Sequence, residues 1–106
     1  MSDRPGGFAA DDPRVALLDA VLAEVRAESL RAWNKFAPFN SPHEGYAVIK
    51  EELDELWDEV KANRGRFPEG AREAMQTAAM AVRYMVDVAP EAVRHALIQA
   101  RRDPTA

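Results

Sequence analysis

Apolar residues along this chain recur at intervals of three and four, the period of helices that bury one face. In "DDPRVALLDAVLAEVRAESLRAWNKF" they fall at Leu18, Val21, Leu22, Val25, Leu30 and Trp33. Asp12 can cap this helix and Pro13 suits its first position; the pattern ends near Phe36, before "APFNSP". A second helix starts at Ser41–Pro42–His43–Glu44, a capping box with proline in the first turn. Tyr46, Ile49, Leu53, Leu56 and Val60 form its apolar stripe, with Trp57 beside it and Tyr46 assigned to the core. "NRGRFPEG", with Gly65 and Pro68, stops it. The third helix is expected over Glu69–Val88, burying Met75, Ala78, Ala79, Val82, Met85 and Val86. Pro90 opens a fourth, with Val93, Leu97 and Ile98 inward and Arg101 and Arg102 in its favourable last turn. No strand alternation, repeat or low-complexity tract interrupts this pattern. The expected fold is all-α, an antiparallel helical bundle of about four helices with short connections.

Composition narrows the picture. A chain of 106 residues suits one domain with a modest core. We expect a loose tail over 1–11 and a single domain over 12–103. A second copy is a natural way to bury more apolar surface, so a homodimer or homotetramer is expected. The net charge of −4 gives no general attraction to a nucleic acid polymer or an anionic membrane. With no cysteine, disulfides, thiolate metal sites and cysteine nucleophiles are excluded. The apolar runs are too short to span a bilayer, and "MSDRPGGFAADD" has no secretory core. The expected location is cytoplasmic.

Charge marks one segment as unusual. "VIKEELDELWDEVK" holds six carboxylates between Glu51 and Glu59 with no lysine or arginine among them. Like charges at helical spacing cost a few tenths of a kcal/mol per pair. On a helical wheel Glu52, Glu55 and Glu59 share one flank of the apolar stripe. Glu51, Asp54 and Asp58 fall on the other flank and the outer face. Glu52 borders the core and Glu55 is one turn along, so both can reach one divalent ion. Oxygen-only ligands suit a hard cation, Mg²⁺ or Mn²⁺, rather than Zn²⁺. A solvated acidic face on a plain structural bundle is the alternative.

"EELDEL", followed by a linker and "REAMQTAAMAVRYMVD", resembles the MazG-like, all-alpha nucleotide pyrophosphohydrolase superfamily over roughly Ser41–Asp87. That family carries EExxE on one helix and ExxD on the next, which together hold Mg²⁺ against a nucleoside triphosphate. Glu51, Glu52 and Glu55 match the first motif. Glu73 matches the second, but Gln76 stands at its aspartate, as in a phage-associated branch of the superfamily. The resemblance implies a MazG-like bundle that hydrolyses an NTP or dNTP to monophosphate and pyrophosphate. It makes Glu52, Glu55, Glu73 and Gln76 metal ligands, and Glu51 a ligand or the base that orients the attacking water. Glutamine keeps an oxygen ligand but removes a charge. The competing expectation is therefore a catalytically decayed bundle acting as an interaction or regulatory module.

Other residues fit a triphosphate site less specifically. Lys61, Arg64, Arg66 and Arg72 lie between the motif helices and are candidates for phosphate contact, or solvated linker charges. Arg83 and Asp87 sit one turn apart and are expected to pair within the helix, or Arg83 with an acid of the second helix; a phosphate role for Arg83 is the other candidate. Trp33 and Phe39 flank the loop before the motif helix and are the candidate base contacts. His43 and His95 do not make the Glu-x-x-His pattern of di-iron bundles, and no P-loop or serine triad is present.

Overall fold

The computed structural model describes residues 9–102, which form four helices and no strand. They are α1 (Pro13–Lys35), α2 (Pro42–Lys61), α3 (Pro68–Val88) and α4 (Pro90–Arg102). Most of the expected tail, residues 1–8, lies outside the described residues, as does Asp103. Each helix opens with proline, whose missing N–H costs nothing there. Asp12 accepts from Arg14 N at 2.8 Å. Ser41 Oγ accepts from Glu44 N at 3.1 Å, and the Glu44 carboxylate reaches back to Asn40 N at 3.2 Å. The expected capping box is thus displaced by one residue on its return bond.

The end of α2 is a Schellman turn. Arg64 N donates to Glu59 O at 2.8 Å and Asn63 N to Val60 O at 3.1 Å. Asn63 takes the left-handed conformation this requires, at φ 62°. The turn is tight because α3 then backs onto it: a Cβ on Gly70 would lie 2.5 Å from Gly65 O. Glycine at 70 permits that approach.

α3 is the central element. It packs against α2 along its length, against α1, and near its end against α4. Tyr84 lies over Gly45, and Glu73 meets Glu52 and Glu55, so α2 and α3 are antiparallel. Trp33 bonds to Asp87 and Glu28 lies beside Gln76, so α1 runs in the direction of α3. No Cα of α1 comes within 8 Å of one in α2. The two flank α3 with a gap between them.

The small core lies along α3: Ala32, Phe39, Ala79 and Met80 form one cluster, with Val48, Ile49, Tyr84 and Val88 packed around it, and Val25 is also buried. Ser29, buried in the same region, donates its hydroxyl to Val25 O at 2.8 Å. Several expected core positions are corrected. Tyr46 is 63 % exposed, and Leu53, Val60, Met85 and Val86 also face outward. On α4, Leu97 and Ile98 are exposed rather than inward; Val93 alone of the three is half-buried. The cause is that α3 presents Gln76, Ala79, Met80 and Arg83 to its two neighbours, which turns the Met85–Val86 side away. Leu17, Leu18, Val21 and Leu22 are bare on the first half of α1. The radius of gyration is 16.5 Å, against about 13 Å for a closely packed chain of this length. No helix among the described residues is long and apolar enough to cross a membrane.

Candidate metal centre and adjoining cavity

The acids of α2 divide into two sets. One set finds cations: the exposed Asp54 with Lys50 at 2.9 Å and Asp58 with Lys61 at 3.3 Å, and the half-buried Glu59, on the flank of Glu52 and Glu55, with Arg64 at 2.6 Å. Glu51, Glu52 and Glu55 have no basic group within 4.0 Å among the described residues. Antiparallel packing brings Glu73 of α3 to the second set. Glu52, Glu55 and Glu73 each offer an oxygen, and these oxygens lie within 4.8 Å of one another. Glu52 and Glu73 are half-buried and Glu55 is exposed.

Their titration reflects that crowding. The Glu52 carboxyl is raised to about 7, first by loss of hydration and then by the charge and hydrogen bond of Glu55, with Glu73 and Glu51 adding. Glu73 is raised too, again first by burial and then by Glu55 and Glu59, with Arg72 opposing. Burial and neighbouring acids thus hold both Glu52 and Glu73 toward the protonated form. The oxygen-only donor set fits a hard divalent ion.

Beside this cluster, in the gap between α1 and α2, is a cavity of about 820 Å³. Glu51 and Glu52 line its α2 wall with Val48 and Glu44; Gln76, Met80 and Arg83 form its α3 floor. Glu28, Arg31, Ala32 and Lys35 supply the α1 wall, and Phe36, Ala37 and Phe39 close the end. Glu52 therefore belongs to both the acidic cluster and the cavity. The Gln76 amide beside Glu28 holds that carboxyl below its ordinary value, and Arg31 Nε, which donates to it at 2.8 Å, adds to the effect.

The far end is built around Arg83 and Asp87, and the expected intrahelical pair between them does not form. Asp87 instead accepts from Trp33 Nε1 at 2.9 Å and from Phe39 N at 3.0 Å, tying the end of α1 and the following loop to α3. Arg83 finds no acid of α2 either. It donates through Nη2 to Ala37 O at 3.0 Å and through Nη1 to Met80 Sδ at 3.4 Å. Its guanidinium lies 4.3 Å from the centre of the Phe39 ring. The reason is geometric: the 36–40 loop folds over α3, and its backbone groups reach both side chains first.

Of the residues singled out from sequence, Glu51, Glu52, Gln76, Phe39 and Arg83 line the cavity, and Glu55 and Glu73 complete the adjacent cluster. Trp33, Lys61 and Arg64 do not line it; their polar groups are bonded to Asp87, Asp58 and Glu59. Sequence reasoning missed the α1 wall. The signal was present in "ESLRAWNKF", where Glu28, Arg31 and Lys35 follow at three and four beside the small residues Ser29 and Ala32. Small buried residues let α1 approach α3 closely, and the longer polar side chains beside them face the gap. No known protein family matches this chain, and neither characterised proteins nor solved structures give a match.

Proposed function

We propose that this protein is a Mg²⁺-dependent nucleoside triphosphate pyrophosphohydrolase of the MazG-like kind, with Mn²⁺ as a substitute ion. The observation that carries the reading is the convergence of Glu52, Glu55 and Glu73 from two antiparallel helices, next to a cavity of nucleotide size. These three residues would hold the ion, and the Gln76 amide oxygen is the candidate fourth ligand. When bound, the ion supplies positive charge against the phosphate oxygens and makes water more acidic. Glu51, unpaired and on the cavity wall beside Glu52, takes the proton of the water that adds across the α–β anhydride. The bond from the α phosphorus to the bridging oxygen breaks, leaving a monophosphate and pyrophosphate. Arg31 on the facing wall, paired with Glu28, is the candidate contact for phosphate oxygens.

We assign the bare apolar faces of α1, α2 and α4 to a second copy, in a homodimer or homotetramer. The exposed Leu17, Leu22, Leu53 and Leu97 and the expanded radius support this. Light scattering on the eluting protein tests it; a monomer removes the assignment.

The direct test of the activity is incubation with a panel of NTPs and dNTPs plus Mg²⁺ or Mn²⁺. Pyrophosphate release from at least one is expected, and none across the panel ends the enzymatic reading. Gln76 favours a second reading, a decayed bundle kept as an interaction module, because its side chain is engaged with Glu28. Gln76→Asp separates the two. Restored or increased pyrophosphate release marks an enzyme with a weakened site, and no metal response in either form marks the module.

A further inference from the structure

The Arg83 end of the cavity poses a charge problem that the acidic end does not solve. Arg83 is 2 % exposed, yet no carboxylate oxygen lies within 4.0 Å of it among the described residues. Asp87, one turn along, is occupied by Trp33 and Phe39. A guanidinium has five N–H donors and accepts none. Arg83 places donors on Ala37 O and Met80 Sδ, and its buried Nε has no partner. A buried cation short of acceptors is costly, and a ligand that brings acceptors relieves that cost.

Position decides which part of a ligand arrives there. Glu73 and Arg83 are ten residues apart on α3, so the two ends lie about 15 Å apart along the helix axis. Phosphates held at the Glu52–Glu73 end leave the base, not the phosphates, to reach Arg83. The aromatic rings are at that end too: Phe36 and Phe39 line it, and Phe39 already stacks on the guanidinium.

We propose that Arg83 is a specificity-determining residue that selects nucleobases with a carbonyl where cytosine and adenine carry their amino group. The carbonyl oxygen of uracil, thymine or guanine accepts from the guanidinium. The 6-amino group of adenine or the 4-amino group of cytosine, at the same ring position as those carbonyls, sets donor against donor. This rests on the nucleotide reading above, but its test is separate from catalysis.

Calorimetric titration of the wild-type protein with nucleoside 5′-monophosphates, in Mg²⁺ and again in EDTA, reads the base alone. The uracil, thymine and guanine forms are expected to bind about tenfold or more tightly than the adenine and cytosine forms. Arg83→Lys, checked for native helicity, should narrow that ratio; the wild-type ranking carries the test if the variant does not fold. Equal affinities, tighter binding of the adenine and cytosine forms, or no binding by any monophosphate overturns the role of Arg83. Pyrophosphate release without base ranking removes this inference alone. Base ranking without pyrophosphate release removes catalysis alone.

Discussion

The two ends of the cavity carry opposite imbalances. At the α2–α3 acidic end, Glu52, Glu55 and Glu73 converge without a cation among the described residues. At the other end Arg83 is buried without an anion. The two stand about 15 Å apart along α3, too far to neutralise one another across more than a screening length. Elsewhere the chain pairs its charges freely: Lys50, Lys61 and Arg64 each find a neighbouring acid. Charge is left unmatched at both ends of one cavity, whose α1 wall carries the Glu28–Arg31 pair. The ends also differ in how they are held. The acidic cluster depends on helix-to-helix packing, whereas the Arg83 end depends on a loop tied down by one carboxylate.

Glu55→Gln should break the acidic end most severely. Pyrophosphate release with Mg²⁺ should fall by roughly two orders of magnitude or more, as expected for loss of a direct metal ligand. The metal-free variant should at the same time melt higher, because repulsion with Glu52 and Glu73 is relieved. Undiminished turnover would remove Glu55 from the site.

Asp87→Ala should break the opposite end. Trp33 Nε1 and Phe39 N lose their acceptor, at a cost of about 3 kcal/mol in denaturant unfolding. If the ends are held independently, the rise in Tm on adding Mg²⁺ survives this change. Its loss would show that the loop also supports the acidic cluster.

Gly45→Ala probes the packing between them. A Cβ there would meet Tyr84 Cδ2 at 2.5 Å and Phe39 Cδ2 at 3.3 Å. The expected cost is about 1–3 kcal/mol from overpacking. Base binding should suffer more than metal binding, since Phe39 must shift. A variant as stable as wild type would mean that α2 is free to move away from α3.

The smallest effect concerns pH. With Glu52 raised from 4.5 to about 7, the folded chain binds more protons than the unfolded chain between those values. Stability without metal therefore declines as pH rises through that window, with Glu73 acting in the same direction. Glu28 and Glu59, held below their ordinary values, act at lower pH. Melting in EDTA between pH 4.5 and 7.5 should show a small fall in Tm that Glu52→Gln flattens. A rise across the window would mean that the carboxylates are not crowded.

Much of this was legible in the residues themselves. The caps at Asp12 and Ser41, Pro13, Pro42 and Pro90 at their helix starts and the stop after Lys61 are local signals that the helices follow; α3 begins at Pro68, one residue before the expected Glu69. Glu52 and Glu55 could be nominated because residues three apart share a helix face, whereas Glu73 was nominated by the motif resemblance alone. What periodicity cannot supply is the choice between faces. On α3, Met85 and Val86 lost to Met80 and Arg83 because that helix serves two neighbours rather than one.

The sequence by itself determined four helices and an acid run too dense for ordinary pairing, since both follow from contacts within a few residues. Only the tertiary structure decided that α1 and α2 stand apart over α3, that Asp87 serves Trp33 and Phe39, and that Arg83 is left beneath them without an anion. The physical reason is reach. A side chain bonds to whatever folding brings within about 3 Å, and for Arg83 and Asp87 that was a loop more than forty residues away in the chain.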